Sequence, residues 1–161
     1  MGTINNVVAL LWGLAESTFF FIVPDVWFSI VGRNDLRAGL VACVYGLVGA
    51  LVGGTLIYLS GMNDLAGVAG IIEQVPAIGP EMLVRVNAEL SQLGVLAILI
   101  GPIKGTPYKV YALFSADHGI SIWAFLLVSI PARLTRFVLV TIFFHYALRD
   151  VDLLPFSVNR L

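Results

Sequence analysis

The stretch Leu14-Ala15-Glu16-Ser17-Thr18-Phe19-Phe20-Phe21-Ile22-Val23-Pro24-Asp25 decides how the rest of the chain is read. It lies in a run, 4–32, that would otherwise dissolve in hydrocarbon. Yet it holds a carboxylate, a proline eight residues later and a second carboxylate directly after that. Lipid does not solvate a charge at depth, so a membrane segment keeps one only where protein or trapped water receives it. Broken backbone is tolerated inside a bilayer on the same condition. The run is also too long for one straight span of about 20 residues and too short for two. It therefore reads as a re-entrant helical hairpin, two short arms meeting beside a polar cavity, with Pro24 shaping the tip.

Composition agrees with a membrane setting. Of 161 residues, 59% are hydrophobic and 12% charged, roughly half the charged share of a soluble domain. A formal net charge of −1 leaves no basic field for nucleic acid. The single Cys43 sits in an apolar run, reads as packing and excludes an intrachain disulfide. No Lys or Arg precedes Arg33, so a cleaved signal peptide is not expected.

Outward from the hairpin, 33–37 is a short polar loop and 38–60 an uninterrupted transmembrane helix. Its small residues recur at fourfold spacing: Gly49 with Gly53, and Ala42, Gly46 and Ala50. Such a ridge lets another helix approach closely, and the Gly46–Gly53 face would equally serve a homo-oligomer. Residues 61–92 change character: breaks at Gly61-Met62-Asn63-Asp64, Pro76 and Gly79-Pro80 flank two amphipathic patterns. With Glu81, Arg85 and Glu89 as a solvated stripe, this segment reads as a surface connector. Residues 93–116 return to the opening theme, because Gly101-Pro102-Ile103-Lys104-Gly105-Thr106-Pro107 cannot continue a lipid-facing helix. Pro102 and Pro107 shape this second re-entrant block. A final transmembrane helix, 120–148, and a cytoplasmic tail, 149–161, complete the chain.

The expected fold is thus an all-α integral membrane protein, one domain over 1–148. Two inverted repeats, each a hairpin followed by a long helix, are joined by the connector. Paired interrupted segments at matching positions are the sequence pointer to a transporter-type central site. The distribution of arginines over the loops favours the re-entrant arrangement with both termini cytoplasmic.

Six charges fall within the membrane blocks: Glu16, Asp25, Lys104, Lys109, Arg133 and Arg136. Each costs about 2.5–3.5 kcal/mol at a helix centre, so each needs a reason. One reason is mutual pairing, Glu16 with one arginine and Asp25 with another cation, or snorkelling of Asp25 and Lys109. The other starts from the excess of cations. Arg133 and Arg136 lie three apart on one helical face and, with Lys104 and Lys109, make a forked donor set suited to a phosphate. Glu16 beside them, with Asp25, would exchange protons. His118 and His145 have no ligand spacing, so no metal is expected, and no cofactor motif is present. Ser17 and Thr18 have no base in their block and read as caps of the broken backbone. With no nucleophile–base pair, an enzyme is not expected. Trp12, Trp27, Trp123, Tyr58 and Tyr146 lie toward block ends, as interfacial anchors do.

At these residues the chain resembles a family. Glu16 to Val26, Pro102 to Ala112 and Pro131-Ala132-Arg133-Leu134-Thr135-Arg136-Phe137 look like the motifs of the DedA superfamily, also called the SNARE-associated or VTT-domain group, closest to its YqaA-like branch. The likeness covers roughly 5–148. It implies two re-entrant hairpins in inverted repeats and a lipid translocase of a bacterial inner membrane. The cargo would be an anionic phospholipid or polyprenyl phosphate, moved in dependence on the proton motive force. Glu16 matches the family's acidic residue and Arg133 with Arg136 its basic pair. The competing expectation is a non-transporting scaffold whose charges only pair and whose glycine ridge binds a partner.

Overall fold

The computed structural model describes residues 2–147. The tail, 149–161, with Arg149 and Arg160, lies outside the described residues. Within them the protein is all-helical: α1 (Gly2–Glu16), α2 (Asp25–Asn34), α3 (Leu36–Asn63), α4 (Leu65–Ile72), α5 (Pro80–Leu93), α6 (Ala97–Lys104), α7 (Tyr108–Ser115) and α8 (Ile122–Ala147). Three stretches are long and apolar enough to cross a membrane, Leu36–Asn63, Pro80–Lys104 and Ile122–Ala147.

The middle stretch is not straight. A helix of that register would hold positions 89 and 104 about 22 Å apart. Lys104 Nζ instead lies 2.6 Å from Glu89 Oε1. Gly94, with φ of +56°, ends α5 and turns the chain back through a 3-10 turn into α6. The glycine is required there because a Cβ is disfavoured at positive φ. The boundary expected at 92/93 is therefore the bend of a helical pair.

Two long antiparallel helices organise the rest. Cys43 Sγ meets Thr141 Oγ1 at 3.2 Å, and Tyr58 OH donates to the Ile120 carbonyl at 2.7 Å. So α3 and α8 run in opposite directions. Tyr58, expected at an interface, is a core residue at 6% exposure. Helix α1 runs along α3 with its backbone in contact: a Cβ at Gly49 would overlap the Leu10 carbonyl oxygen. The chain then folds back, and α2 returns beside α1. Trp27 Nε1 donates to the Asn5 carbonyl at 3.2 Å, and Trp12 stacks on Trp27 with centroids 6.3 Å apart. His145 Nδ1 lies 2.7 Å from the Gly32 carbonyl oxygen, which brings the far end of α8 to that same end of α3.

Helix α7 fills the other half. It is buried at every position from Tyr108 to Leu113, against α3, α5 and the first half of α8. Leu83, Val86 and Leu90 turn the apolar face of α5 onto this core. Of the stripe expected to be solvated, Glu81 and Arg85 are exposed, Arg85 also donating to Thr106 Oγ1 at 3.0 Å, while Glu89 is drawn in and accepts from Lys104 and Tyr111. The connector is packed against the second block.

The glycine ridge of α3 is occupied within the chain, which corrects the expectation of a homo-oligomer there. Phe28 fills the space over Gly46, α1 covers Gly49, and Leu14 with Ser17 covers Gly53. Exposed apolar side chains lie elsewhere, among them Ile4, Val7 and Leu11 on α1, Val48 and Val52 on α3, and Leu139 on α8.

Candidate functional site

Adjacent residues of α3 mark the level at which the two blocks meet. Gly53 faces Leu14 and Ser17 at the end of α1, while Gly54 faces the ring of Tyr108 at the start of α7. Direct contact joins the loops, because Lys109 Nζ donates to the Phe20 carbonyl at 2.6 Å. Between them lies a cavity of about 170 Å³ lined by Glu16, Phe20, Tyr108, Lys109, Arg133 and Arg136, among others. The connector loop Val75 to Ile78 closes one side. Ala77 in that loop takes a φ of +69°, a conformation that a Cβ disfavours.

The polar lining follows from local structure. Glu16 is the last residue of α1, where a carboxylate opposes the negative end of the helix dipole and needs a cation. Arg133 supplies it: its guanidinium forms an ion pair with Glu16, and the two side chains are 3% and 5% exposed. The same guanidinium lies over the rings of Tyr108 and Phe137 at 4.8 and 4.9 Å, a placement that favours a weakly hydrated cation. Asp25 opens α2 directly after Pro24, at the positive end of the dipole. Arg136 reaches it through Nη2 at 2.8 Å and Nε at 3.0 Å. Tyr108 is fixed by its hydroxyl, which donates to Ser129 Oγ at 2.8 Å, and by stacking on Phe125.

Five of the six charges thus converge, and Lys104 does not. Although cavity-lining Gly105 follows it directly, Lys104 turns outward to Glu89 with its side chain 46% exposed. The physical reason is the reversal at Gly105, φ +70°, which puts Lys104 and Lys109 on opposite sides of the turn. The expected headgroup ligand Lys104 is a surface ion-pair partner.

Lys109 is the exceptional charge. It is 1% exposed, and its ammonium has one hydrogen-bond partner, a neutral carbonyl. Three cations against two carboxylates leave one positive charge at the site. Two buried polar atoms are also unpartnered, Asp25 Oδ1 and Arg133 Nε. Burying such atoms unpaired is costly, so each calls for a water or ligand atom. The N-terminus of α7, led by Pro107, opens on the same space and adds positive potential.

Of the hairpin-shaping prolines, Pro24 and Pro107 precede the first residues of α2 and α7, while Pro102 lies within the last turn of α6. Thr18 caps as expected, donating to the Leu14 carbonyl, whereas Ser17 donates to the Glu16 carboxylate. Sequence reasoning missed the Phe20 carbonyl, Tyr108 and Ser129 as parts of the site. An aromatic directly after a tip proline was the available signal for Tyr108. No group of His, Cys, Asp and Glu able to hold a metal occurs among the described residues. No family model, curated protein or solved structure matches the chain.

Proposed function

We propose that the chain is a DedA-type lipid translocase of a bacterial inner membrane. It moves an anionic phospholipid or polyprenyl phosphate past the cavity, with Glu16 and Asp25 as the protonatable groups. In this reading α1 with α2, and α6 with α7, are re-entrant hairpins entering from opposite faces as inverted repeats. Helix α1 supports this by its length, about 22 Å, against roughly 30 Å of hydrocarbon. Both termini would lie on the cytoplasmic face, where Arg33 and Arg37 sit.

The observation that carries the proposal is Lys109, an ammonium buried at the junction with no carboxylate of its own. A bound monoanion would balance it. Arg133 and Arg136, already held by Glu16 and Asp25, would orient the headgroup. Protonating either carboxylate would free an arginine for the anion, which is how proton binding and headgroup binding would be coupled. The test is headgroup exchange in proteoliposomes with fluorescent phosphatidylglycerol against phosphatidylcholine. Wild type should speed the anionic lipid, and Glu16→Gln and Arg133→Ala should each abolish this while still inserting. Wild-type rates in both variants would end the proposal.

The scaffold reading has one observation in its favour, the pairing of both buried carboxylates. Its predicted docking ridge is covered by α1 and Phe28. Under it, swapping Glu16 and Arg133 would leave the protein's role intact.

A further inference from the structure

Outside the polar cavity, α6 and α8 leave a groove of about 450 Å³ between them, lined by Leu99, Ile103, Pro131, Leu139 and other apolar residues. Arg136 is its one charged lining residue, and also the one residue shared with the lining of the polar cavity. We propose that this groove holds one hydrocarbon chain of an anionic membrane lipid whose headgroup turns at Arg136 into the cavity. The inference rests on the translocase reading and adds to it a tail site and an entry side.

Size and charge argue for this occupant. The head cavity, about 170 Å³, is small beside the roughly 300–1,000 Å³ of ordinary ligand pockets, so it suits a compact phosphate and not a large glycosylated head. Glu16 offsets Arg133, and Asp25 behind the lining offsets Arg136, so Lys109 leaves one positive charge at the cavity, which matches a monoanion. The groove itself cannot select, because bilayer hydrocarbon is as apolar as Leu99 or Leu139 and a chain gains nothing by leaving it. Selection has to come from the charge at the groove's end. A second groove, between α3 and α8, serves as the internal contrast. It has nearly the same volume, about 500 Å³, and no charged residue in its lining, which includes Val52, Leu56 and Leu127.

The test is photo-crosslinking of the whole protein in bilayers with phosphatidylglycerol carrying a diazirine in one acyl chain, against phosphatidylcholine with the same chain. Adducts at Leu99, Ile103 and Leu139 should favour the anionic probe about fivefold, the effect of one basic residue worth roughly 1 kcal/mol near a membrane. Adducts at Val52, Leu56 and Leu127 should show no preference. Arg136→Gln should erase the preference. Because Arg136 also holds Asp25, Ile103→Trp is the second variant: position 103 is 86% exposed, so the ring fills the groove without touching the core. It should remove the groove adducts. Equal adducts from both probes, an anionic preference in the α3/α8 groove, or chain-to-chain crosslinks at Ile103 would each overturn the inference. Anionic transport without groove adducts would overturn it and leave the translocase standing. Groove adducts with no transport would support it and sink the translocase.

Discussion

Replacing Glu16 and Arg133, singly and together, separates pairing from function. The two side chains are almost wholly buried and bonded to each other. Glu16→Leu therefore strands a buried guanidinium, and Arg133→Met strands a buried carboxylate. Each single change should cost about 3–5 kcal/mol, the usual penalty for leaving one partner of a buried pair uncompensated. For a chain of this length that lowers the melting temperature by roughly 10 °C. The double variant removes both charges and fills their volume with hydrocarbon. It should return to within about 1–2 kcal/mol of wild type, because such replacements are often neutral. Unfolding in detergent reads the stability, and headgroup exchange in proteoliposomes reads the movement. The expected pattern is a stable double variant that moves no lipid. A double variant whose loss equals the sum of the two single losses would refute the buried pairing. A double variant with wild-type exchange would refute any role for the pair in movement.

Lys109→Met should leave stability unchanged or raise it, since a buried ammonium with one carbonyl partner is replaced by a side chain of similar reach. It should nevertheless lower anionic headgroup exchange at least tenfold, measured in the same vesicles. Lys104→Ala should change neither quantity by much: the lysine is half exposed, Glu89 keeps its bond from Tyr111, and pairs with an exposed partner contribute about 0–1 kcal/mol. Gly49→Ala should destabilise by about 1–3 kcal/mol, the usual cost of overpacking, because the added methyl meets the Leu10 carbonyl; thermal unfolding reads it. Ala77→Gly should be tolerated, whereas Ala77→Val, β-branched at a φ of +69°, should destabilise by at least about 1 kcal/mol.

The cost of ions in hydrocarbon made part of this site legible in the sequence. Glu16, Asp25, Arg133 and Arg136 were forced to find partners, and they found each other. Lys104 and Lys109 could not be told apart that way, because both flank the same Gly/Pro turn. Only the left-handed geometry at Gly105 sends one outward and the other in. The stripe of Glu81, Arg85 and Glu89 was legible as one face of a helix, but periodicity does not say what that face meets. The bend at Gly94 decides it, by laying α6 against α5. The small residues of α3 likewise announced close packing without naming the neighbour, which is α1 of the same chain. Tyr58 stands near a helix end, where an interfacial anchor and a core residue look alike until the start of α8 closes over it.

The central claim is that the two blocks enclose a wet, charged space at membrane depth, and thiol accessibility measures it most directly. In a Cys43→Ala background, Val23→Cys lines the cavity and Leu139→Cys faces outward from α8. In sealed vesicles a small water-soluble thiol reagent should modify Val23→Cys and leave Leu139→Cys unmodified. Protection of Val23→Cys equal to that of Leu139→Cys would mean a dry junction. Rapid labelling of both would mean that α8 does not lie in hydrocarbon, and either result would contradict the account.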